Sequence, residues 1–266
     1  MSEESFILNA GPIEVRIART KEEIIAAQKL RYKVFYEELQ AKPSPEMAEE
    51  KRDFDDFDLI CDQLLAFDTT KSGDDAVIAT YRLLREEKVD SIHDFYSFQE
   101  FDLSNLDNDH FREMMAGRQL LELGRSCVRE EYRSNNIIQL MWRAIVKYIV
   151  QHNVGCLFGC ASLEGVIQGD LELPLSYLYH KYKTPDAFNI PALPERYQKM
   201  NYMEWDDIDK RKAKRQLAPL VRGYARLGCY IGDGAVVDEQ FNTTDVLILL
   251  LTDRLRERGA QLFEDS

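Results

Sequence analysis

The stretch from Leu120 to Ser162 most constrains how this chain can fold, because a short, a long and a second short apolar run follow one another there. The first run ends at Val128, the long run extends from Asn136 to His152 without Gly or Pro, and the last covers Val154 to Ala161. Short runs of this kind are typical of buried strands, and the long run is typical of a helix. Because a helical crossover joins parallel strands, the sequence predicts an α/β fold.

Polar residues support the interpretation of the long run as a mostly buried helix. They recur at every fourth position: Gln139, Arg143, Lys147 and Gln151. This spacing leaves one narrow solvated stripe on a helix whose remaining surface packs against a sheet.

The turn before this helix is a candidate anion site. Ser134 or Asn135 can cap the helix, because a short side-chain oxygen accepts from the unpaired N–H groups of the first turn. These N–H groups and the positive end of the helix dipole would face the same point, where Arg133 would add a full positive charge. From these residues alone, the alternative is an ordinary loop arginine and an ordinary cap.

Composition and charge exclude several classes of protein. The net charge of −13 disfavours non-specific nucleic-acid binding, and no apolar run is long enough to span a bilayer. The first residues lack the basic start and apolar block of a signal peptide, so a cytoplasmic protein is expected. The five cysteines contain no Cys-x-x-Cys pair and do not cluster with histidines, so neither a metal site nor a disulfide framework is predicted.

The first third of the chain is predicted to contain a strand, a helix and a hairpin. The strand covers Ile13 to Ala18, and the helix extends from Lys21 to about Leu39 with Thr20 as its cap. The hairpin strands are Gln63 to Phe67 and Ala76 to Leu84.

Charged residues in this part allow more than one interpretation. Arg31 lies close to the apolar stripe of the helix, and a solvent-facing arginine is expected there. Four aspartates crowd one loop: Asp53, Asp55, Asp56 and Asp58. They form either a solvated turn or a site for a cationic substrate, since close carboxylates attract an ammonium group. Arg82 interrupts an apolar strand and needs a partner if it is buried.

The rest of the chain is predicted to complete a single domain of residues 1–266. Phe98 to Leu103 is expected to add a short edge strand, and Thr243 to Leu251 a last strand before a charged helix. Residues 163–206 hold four prolines and many tyrosines and are predicted to be irregular. They are interpreted as a lid or binding loop, or as a packed aromatic cover. Residues 207–228 are strongly basic and are predicted to form two helices or one kinked helix, because Pro219 interrupts the pattern.

Several short motifs, taken in order, resemble the GNAT acyltransferase fold and the acyl-homoserine-lactone synthases. They are RYKVFYEEL, DDFDLICDQLL, ATYRLL, ELGRSCV, EYRSNNIIQLMW and GCAS. RGYARLG, GDGAVVD and FNTTDVLI go further and resemble the ornithine–acyl-[acyl carrier protein] N-acyltransferases of ornithine-lipid synthesis. The resemblance covers most of the chain. It implies a GNAT-type mixed central sheet with splayed parallel strands, helices on both faces and a long aromatic and proline-rich insertion.

The lactone-synthase pattern implies a set of site residues. The substrate-binding residues would be Arg31, Phe35, Asp55, Asp58 and Arg82, and the catalytic residues Glu122 and Arg125. The tryptophan that those synthases carry after the phenylalanine is missing here, which counts against a lactone product.

Two roles stay open for Glu122. It would either take the ammonium proton of the acceptor or orient Arg125 in a salt bridge. Because side chains alternate along a strand, both residues would serve one site only if the strand bulged, with Gly124 marking the place.

The pyrophosphate loop of GNAT enzymes falls on Arg133 to Ile138, with Asn136 and Ile138 at its two small positions. Larger side chains keep the backbone from approaching a pyrophosphate, so an acyl carrier protein is expected as donor rather than coenzyme A. Its phosphopantetheine arm would enter as substrate, without a cofactor or metal, and pair like an extra strand between the splayed strands. The implied donor-binding residues are Arg133, Ser134, Asn135, Asn136, Cys160, Ala161 and Ser162.

The resemblance implies transfer of a 3-hydroxyacyl chain from acyl carrier protein to the α-amine of L-ornithine, the first step of ornithine-lipid biosynthesis. The alternatives are a lactone-type synthase, another amine N-acyltransferase that uses acyl carrier protein or acyl-CoA, and an inactive carrier-binding module. The basic segment is expected to dock the acidic carrier protein through Lys210, Arg211, Lys214, Arg215 and Arg222. A solvated helix face and peripheral contact with the inner membrane are the other interpretations.

Overall fold

The computed structural model describes residues 6–133, 136–166 and 169–258, which form a mixed α/β fold. Within these residues the strands are β1 (Leu8–Ala10), β2 (Ile13–Ile17), β3 (Asp62–Asp68), β4 (Val77–Arg85), β5 (Gln119–Val128), β6 (Val154–Glu164), β7 (Tyr230–Ile231), β8 (Val236–Asp238) and β9 (Thr243–Leu251). The α-helices are α1 (Lys21–Tyr32), α2 (Pro45–Glu50), α3 (Asp109–Met115), α4 (Ile137–Gln151), α5 (Glu172–Tyr182), α6 (Lys210–Gln216), α7 (Pro219–Leu227) and α8 (Thr252–Arg258). The chain forms two compact units. The first contains residues 6–84 and 123–153, and the second contains residues 85–122 and 154–258.

The first unit is built on antiparallel strands. β1, β2, β3 and β4 follow one another in sequence order, and each pairs antiparallel with the next. The predicted strand and hairpin are confirmed, with ends shifted by one residue. Their apolar core contains Ala26, Ala27, Leu30, Val34, Leu65, Phe67, Val77 and Cys127.

The helix predicted from Lys21 is confirmed at its start and changes form before its end. The Thr20 side chain accepts the N–H of Glu23 and caps α1. Beyond Tyr32 the chain continues as a π-helix, Lys33–Glu38, a form that is frequent at functional sites. Arg31 and Phe35 lie on either side of this change.

The long helix predicted from the apolar run is α4, which packs against β2 and β3 of the same unit. Its apolar side is buried, and the polar residues at every fourth position remain partly or fully exposed, as predicted. Asn136 takes the cap position without a side-chain hydrogen bond to the helix. The predicted caps Ser134 and Asn135 lie outside the described residues.

The predicted parallel pairing lies in the second unit. β5 and β6 pair in parallel from Gln119–Val154 to Glu122–Phe158. Both strands continue beyond that last pair, and β6 continues along β9 in antiparallel register. β9 also pairs antiparallel with β7 and β8, so the sheet is mixed, as predicted.

Two predictions for the second unit are wrong. The segment predicted as an edge strand begins inside the 3-10 turn Tyr96–Gln99, because the N–H groups of Phe98 and Glu100 bond to carbonyls three residues earlier. Its pairing is an isolated antiparallel bridge of Phe101 with Ala192. Residues 163–206 are not irregular throughout, since α5 lies within them. Pro174 stands in the first turn of α5, where a missing N–H removes no hydrogen bond. The buried aromatic rings of this segment favour a packed cover.

The last part of the chain follows the sequence closely. The basic segment forms two helices, α6 and α7, with Pro219 at the start of the second, and β9 has the predicted bounds. Among the residues described, no helix combines the length and the apolar character that crossing a membrane requires.

Candidate active site

Six charged side chains, four of them buried and two partly buried, form a network in the first unit. They are Arg31, Arg82, Arg125, Asp53, Asp55 and Asp58. Arg31 Nε lies 2.7 Å from Asp53 Oδ2, and Arg31 Nη2 lies 2.7 Å from Asp58 Oδ2. Arg82 Nη1 lies 2.5 Å from Asp55 Oδ1, and Arg125 Nη2 lies 3.3 Å from Asp55 Oδ2. Three positive charges meet three negative ones, so the network is balanced within the protein.

Arg31 is the most deeply buried member of this network. Its side chain is 0% exposed, so the prediction of a solvent-facing arginine is wrong. Burial opposes the charge, but the carboxylates of Asp53 and Asp58 outweigh it and raise the pKa of Arg31. Burial alone would raise the pKa of Asp58, but Arg31 beside it lowers that pKa below the usual value. The pair is therefore ionised at neutral pH.

The Asp-x-x-Asp spacing has a local structural cause. Asp55 and Asp58 form a capping box around the 3-10 turn Asp56–Leu59, in which each side chain accepts a backbone N–H of the turn. Asp58 is buried and also accepts from Gln63, so the interpretation as a solvated turn is wrong for it. The Asp55 side chain is 24% exposed and is the more accessible of the two. Both carboxylates are paired with arginines in this structure. Their role as ligands of a substrate ammonium group stays a prediction.

The β5 backbone is irregular at Arg125. Its φ is 49°, in the left-handed region that residues other than glycine rarely adopt. The bulge at Gly124 stays a prediction, since this φ reports the backbone conformation of the next residue and not a shift of strand register. Arg125 Nε lies 3.3 Å from Asp53 Oδ2, so ion pairing with the network offsets a backbone strain of about 1–2 kcal/mol.

Glu122 belongs to the second unit, where its side chain is buried. Its Oε2 accepts the N–H of Tyr96 at 2.9 Å, and its Oε1 accepts the N–H of Ser97 at 2.6 Å. The carboxylate therefore holds the start of the 3-10 turn Tyr96–Gln99. Its roles as proton acceptor and as partner of Arg125 both stay predictions.

The residues predicted to bind the donor are distributed over both units. Arg133 donates from Nε to the carbonyl of Val128 at 2.9 Å and pairs with Glu38. On β6, the backbone of the GCAS motif is paired with β9; its three predicted residues are Cys160, Ala161 and Ser162. Phe35, predicted to contact substrate, is half-buried and packs against the apolar core of the first unit.

A second acidic cluster lies in the second unit, and of its members the resemblance predicts only Cys160 as a site residue. The ligand atoms of Glu100, Cys160 and Asp245 all lie within 4.8 Å of one another, and both carboxylates are buried. Burial and repulsion from Asp245 raise the pKa of Glu100 to about 7. The one sequence signal was Asp245 itself, a charge inside the apolar strand of FNTTDVLI.

The thiol of this cluster is poorly suited to covalent catalysis. Burial and the charge of Glu100 raise the pKa of the Cys160 thiol well above its usual value. The thiolate is the nucleophilic form of cysteine, so a neutral thiol disfavours this function. Proton transfer by Glu100 is a function that the cluster can perform.

The predicted docking residues lie on α6 and α7. Four of them have exposed side chains: Lys210, Arg211, Lys214 and Arg215. Ala213 and Leu217 bury the opposite side of this segment. Arg222 is half-buried, and its Nη1 donates to the carbonyl of Arg215 at 3.4 Å. The segment thus presents a fixed, positively charged face to solvent.

Comparison with known proteins identifies close relatives. Residues 30–143 match the acetyltransferase (GNAT) domain family. An L-ornithine N(alpha)-acyltransferase of Rhizobium meliloti is 42% identical over 248 residues, which cover 92% of this chain and 82% of that protein. One of Rhodobacter capsulatus is 37% identical over 258 residues, which cover 96% of each. The solved N-acyl amino acid synthase FeeM from uncultured soil microbes is 12% identical, with a TM-score of 0.48, over 92% of this chain and 94% of that one.

Proposed function

This chain belongs to the L-ornithine Nα-acyltransferases, and from that premise we propose that it transfers a 3-hydroxyacyl chain from acyl carrier protein to the α-amine of L-ornithine. The observation that carries the acceptor and the reaction is the identity of 42% with a named member over 92% of the chain. The product would be a lyso-ornithine lipid, with the acyl chain in amide linkage to the α-nitrogen.

The reaction requires a neutral amine, held in line with the thioester carbonyl, and a donor for the charge that develops on the carbonyl oxygen. Glu122 and Arg125 are the residues that the family resemblance assigns to these tasks. Arg125 is a member of the balanced network, so its guanidinium is positioned by Asp53 and Asp55. Such preorganised charge is what stabilises a developing oxyanion.

An acyl carrier protein fits the start of α4 better than coenzyme A as the proposed donor. Asn136 and Ile138 replace the small residues with which GNAT enzymes approach a pyrophosphate. A carrier protein presents one phosphodiester near its thioester arm and has less need of that approach. Arg133 and Asn136 are the described residues of the first unit that we propose to bind the phosphodiester of the arm.

An assay that offers several amines tests the function. With a 3-hydroxyacyl carrier protein as donor, we expect N-acyl-ornithine as the main product by mass spectrometry, and little product from lysine or glutamine. A product mass equal to an acyl lactone would instead identify a lactone-type synthase. Absence of turnover with every amine, in protein that still binds the carrier, would indicate an inactive carrier-binding module.

The exposed basic face of α6 is proposed to dock the carrier protein. Two acidic proteins repel each other at long range unless one presents a local basic patch, and this chain carries a net charge of −13. Reversing Arg211, Lys214 and Arg215 to glutamate should lower kcat/KM for the acyl carrier protein strongly and weaken its dependence on salt. Activity with a short acyl-pantetheine donor should be nearly unchanged.

A matched control separates local from global charge. Reversing three exposed lysines elsewhere, Lys21, Lys42 and Lys88, changes the net charge by the same amount. This control should retain most of its activity with the carrier protein. Equal losses in both triple variants would contradict docking at α6, and so would loss of liposome binding alone.

A further inference from the structure

The second unit contains a polar cavity of about 470 Å³ that the family motifs do not describe. Its lining combines one arginine with several carboxylates and amides: Gln99, Glu100, Glu195, Arg196, Gln198, Asp238, Glu239 and Gln240, beside Tyr96 and Val237. Apolar ligands are therefore excluded, and a small molecule with both positive and negative groups fits this lining.

Glu100 is the buried carboxyl of this cavity. Its exposed fraction is 6%, whereas Glu195 and Glu239 are exposed. Arg196 Nη1 lies 3.5 Å from Glu100 Oε1, and Cys160 Sγ lies 3.4 Å from Glu100 Oε2. A buried carboxyl beside solvent-filled space can exchange a proton with a bound molecule.

The groups that face Glu100 come from several elements. They are Asp245 of β9, Asp238 of β8, Cys160 of β6 and Arg196 of the loop between α5 and α6. Glu122 of β5 acts on Glu100 through Ser97. Burial, Asp245 and Asp238 raise the pKa of Glu100, while Arg196 and Cys160 lower it, and the result is about 7. A carboxyl with that pKa is both present as a base and able to take a proton at neutral pH.

We propose that this cavity binds the acceptor amino acid and that Glu100 removes the proton from its α-ammonium group. The inference rests on the proposed function, since it assigns a place to the amine substrate of that reaction. Arg196 would pair with the substrate carboxylate, and Asp238 with Glu239 or Glu195 would pair with the side-chain ammonium. A diamino acid presents one negative and two positive groups, which matches this set of charges.

The chemical step balances without a further reactant. The α-ammonium gives one proton to the Glu100 carboxylate, and the neutral nitrogen attacks the thioester carbonyl. The N–C bond forms, the C–S bond breaks, and the second nitrogen proton goes to the leaving thiolate, which becomes the free thiol. Glu100 returns its proton to solvent through the open side of the cavity, and one proton is released in each turnover.

Glu122 has a defined place in this arrangement as a positioning residue. It holds the N–H groups of Tyr96 and Ser97 at the start of the turn that ends at Glu100. Ser97 Oγ lies 3.5 Å from Cys160 Sγ, which in turn contacts Glu100. The carboxylate assigned by the resemblance thus supports the one that faces the cavity.

The first test is Glu100→Gln, with the exposed Glu113→Gln of the same unit as its control. We expect kcat/KM for ornithine to fall about 10²–10⁴-fold, the usual contribution of a general base, with little change in KM for the acyl donor. In the native enzyme this constant should fall as the pH drops below about 7, and the variant should lack that dependence. Glu113→Gln should behave as the native enzyme.

Thermal unfolding separates a loss of activity in Glu100→Gln from a loss of stability. The pKa of Glu100 in the folded state lies above its usual value of 4.5, so the folded state becomes less stable as the pH rises from 4.5 to about 7. The glutamine variant does not carry this penalty, and at pH 8 it should unfold at a temperature equal to or above that of the native protein. Loss of activity with such stability is a catalytic effect.

Substitution of two neighbours of Glu100 should shift the acid limb of the pH profile of kcat/KM in opposite directions. Asp245→Asn removes a charge that raises the pKa of Glu100, so the midpoint of the limb should shift to lower pH. Cys160→Ala removes a hydrogen bond that lowers this pKa, so the midpoint should shift to higher pH. Unchanged midpoints in both variants would overturn the assignment of Glu100.

A further variant distinguishes this proposal from binding at the aspartate pair of the first unit. If Asp55→Asn raises KM for ornithine while Glu100→Gln leaves kcat/KM and its pH profile unchanged, the cavity is not the acceptor site, although the proposed function stands. If the native enzyme fails to acylate ornithine at all, the proposed function itself is wrong. Loss of activity and of the acid limb in Glu100→Gln alone supports the cavity.

Discussion

Replacing Arg31 with methionine should destabilise the protein by about 3–5 kcal/mol, because it leaves buried carboxylates without their main counter-charge. Arg31 contacts Asp53 and Asp58 at 2.7 Å, and its side chain has no exposed surface. Methionine keeps an unbranched apolar stem and removes the charge, so the loss reports charge pairing more than packing of the stem. Urea unfolding at pH 7 with a linear extrapolation measures the difference.

The control for this variant lies on the same helix. Lys29 pairs with Asp74 at 2.6 Å, but both side chains are about half exposed, at 44% and 54%. Lys29→Met should therefore cost at most about 1 kcal/mol, the range of surface ion pairs. Similar losses in the two variants would mean that burial of the network does not determine its contribution to stability.

The network should also weaken in acid. The pKa of Asp58 is lowered in the folded state, so its contribution to stability is complete above the usual value of 3.8 and is lost as the pH falls through the lower, folded value. Arg31→Met should lose part of this acid dependence, since the main cause of the lowered pKa is then absent.

Glu122→Gln should lower kcat by about 10²-fold, the effect of a small misplacement of catalytic groups. Each carboxylate oxygen of Glu122 accepts a backbone N–H, from Tyr96 or Ser97. A glutamine offers one oxygen and one NH₂ group, so one of these N–H groups would face a donor and the turn that leads to Glu100 would shift. Because Glu122 is proposed to position rather than to take the proton, the acid limb near pH 7 should remain in this variant.

The matched control is Glu86→Gln, since Glu86 also accepts a backbone N–H of β5, from Leu120 at 2.9 Å. The chemical change is the same, and its kcat should stay close to that of the native enzyme. If Glu122→Gln lost the acid limb and Glu100→Gln kept it, Glu122 would be the base and the assignment of Glu100 would fail. Stopped-time assays from about pH 5.5 to about pH 9, on both sides of the limb expected near pH 7, measure both variants.

Much of the fold could be predicted from the sequence because the relevant signals are local. The bounds of β9 and the break between α6 and α7 follow from apolar periodicity and from Pro219. The cap of α1 follows from Thr20, and its side-chain hydrogen bond to the Glu23 N–H depends on residues within one turn. The failure at α5 is local as well: Pro174 is one of the four prolines for which residues 163–206 were predicted to be irregular, but it stands where a helix tolerates it.

The site was predicted only in part. The resemblance named Arg31, Asp58 and Arg82, yet its motifs do not tell whether such residues face solvent or one another. Periodicity placed Arg31 near the apolar stripe, and an unpaired arginine there is expected at the surface. Asp53, its partner at 2.7 Å, lies in a loop whose path no local pattern predicts.

By itself the sequence determined the types and order of the elements, the mixed α/β class and the family, because these depend on short-range pattern and on motifs in order. Only the tertiary structure decided which charges meet. It paired the arginines with Asp53, Asp55 and Asp58, and it brought the carboxylates of Glu100 and Asp245 within 4.8 Å of each other. The physical reason is that burial and charge coupling depend on distance in space, and these set the pKa of Glu100 and thus the chemistry that it can perform.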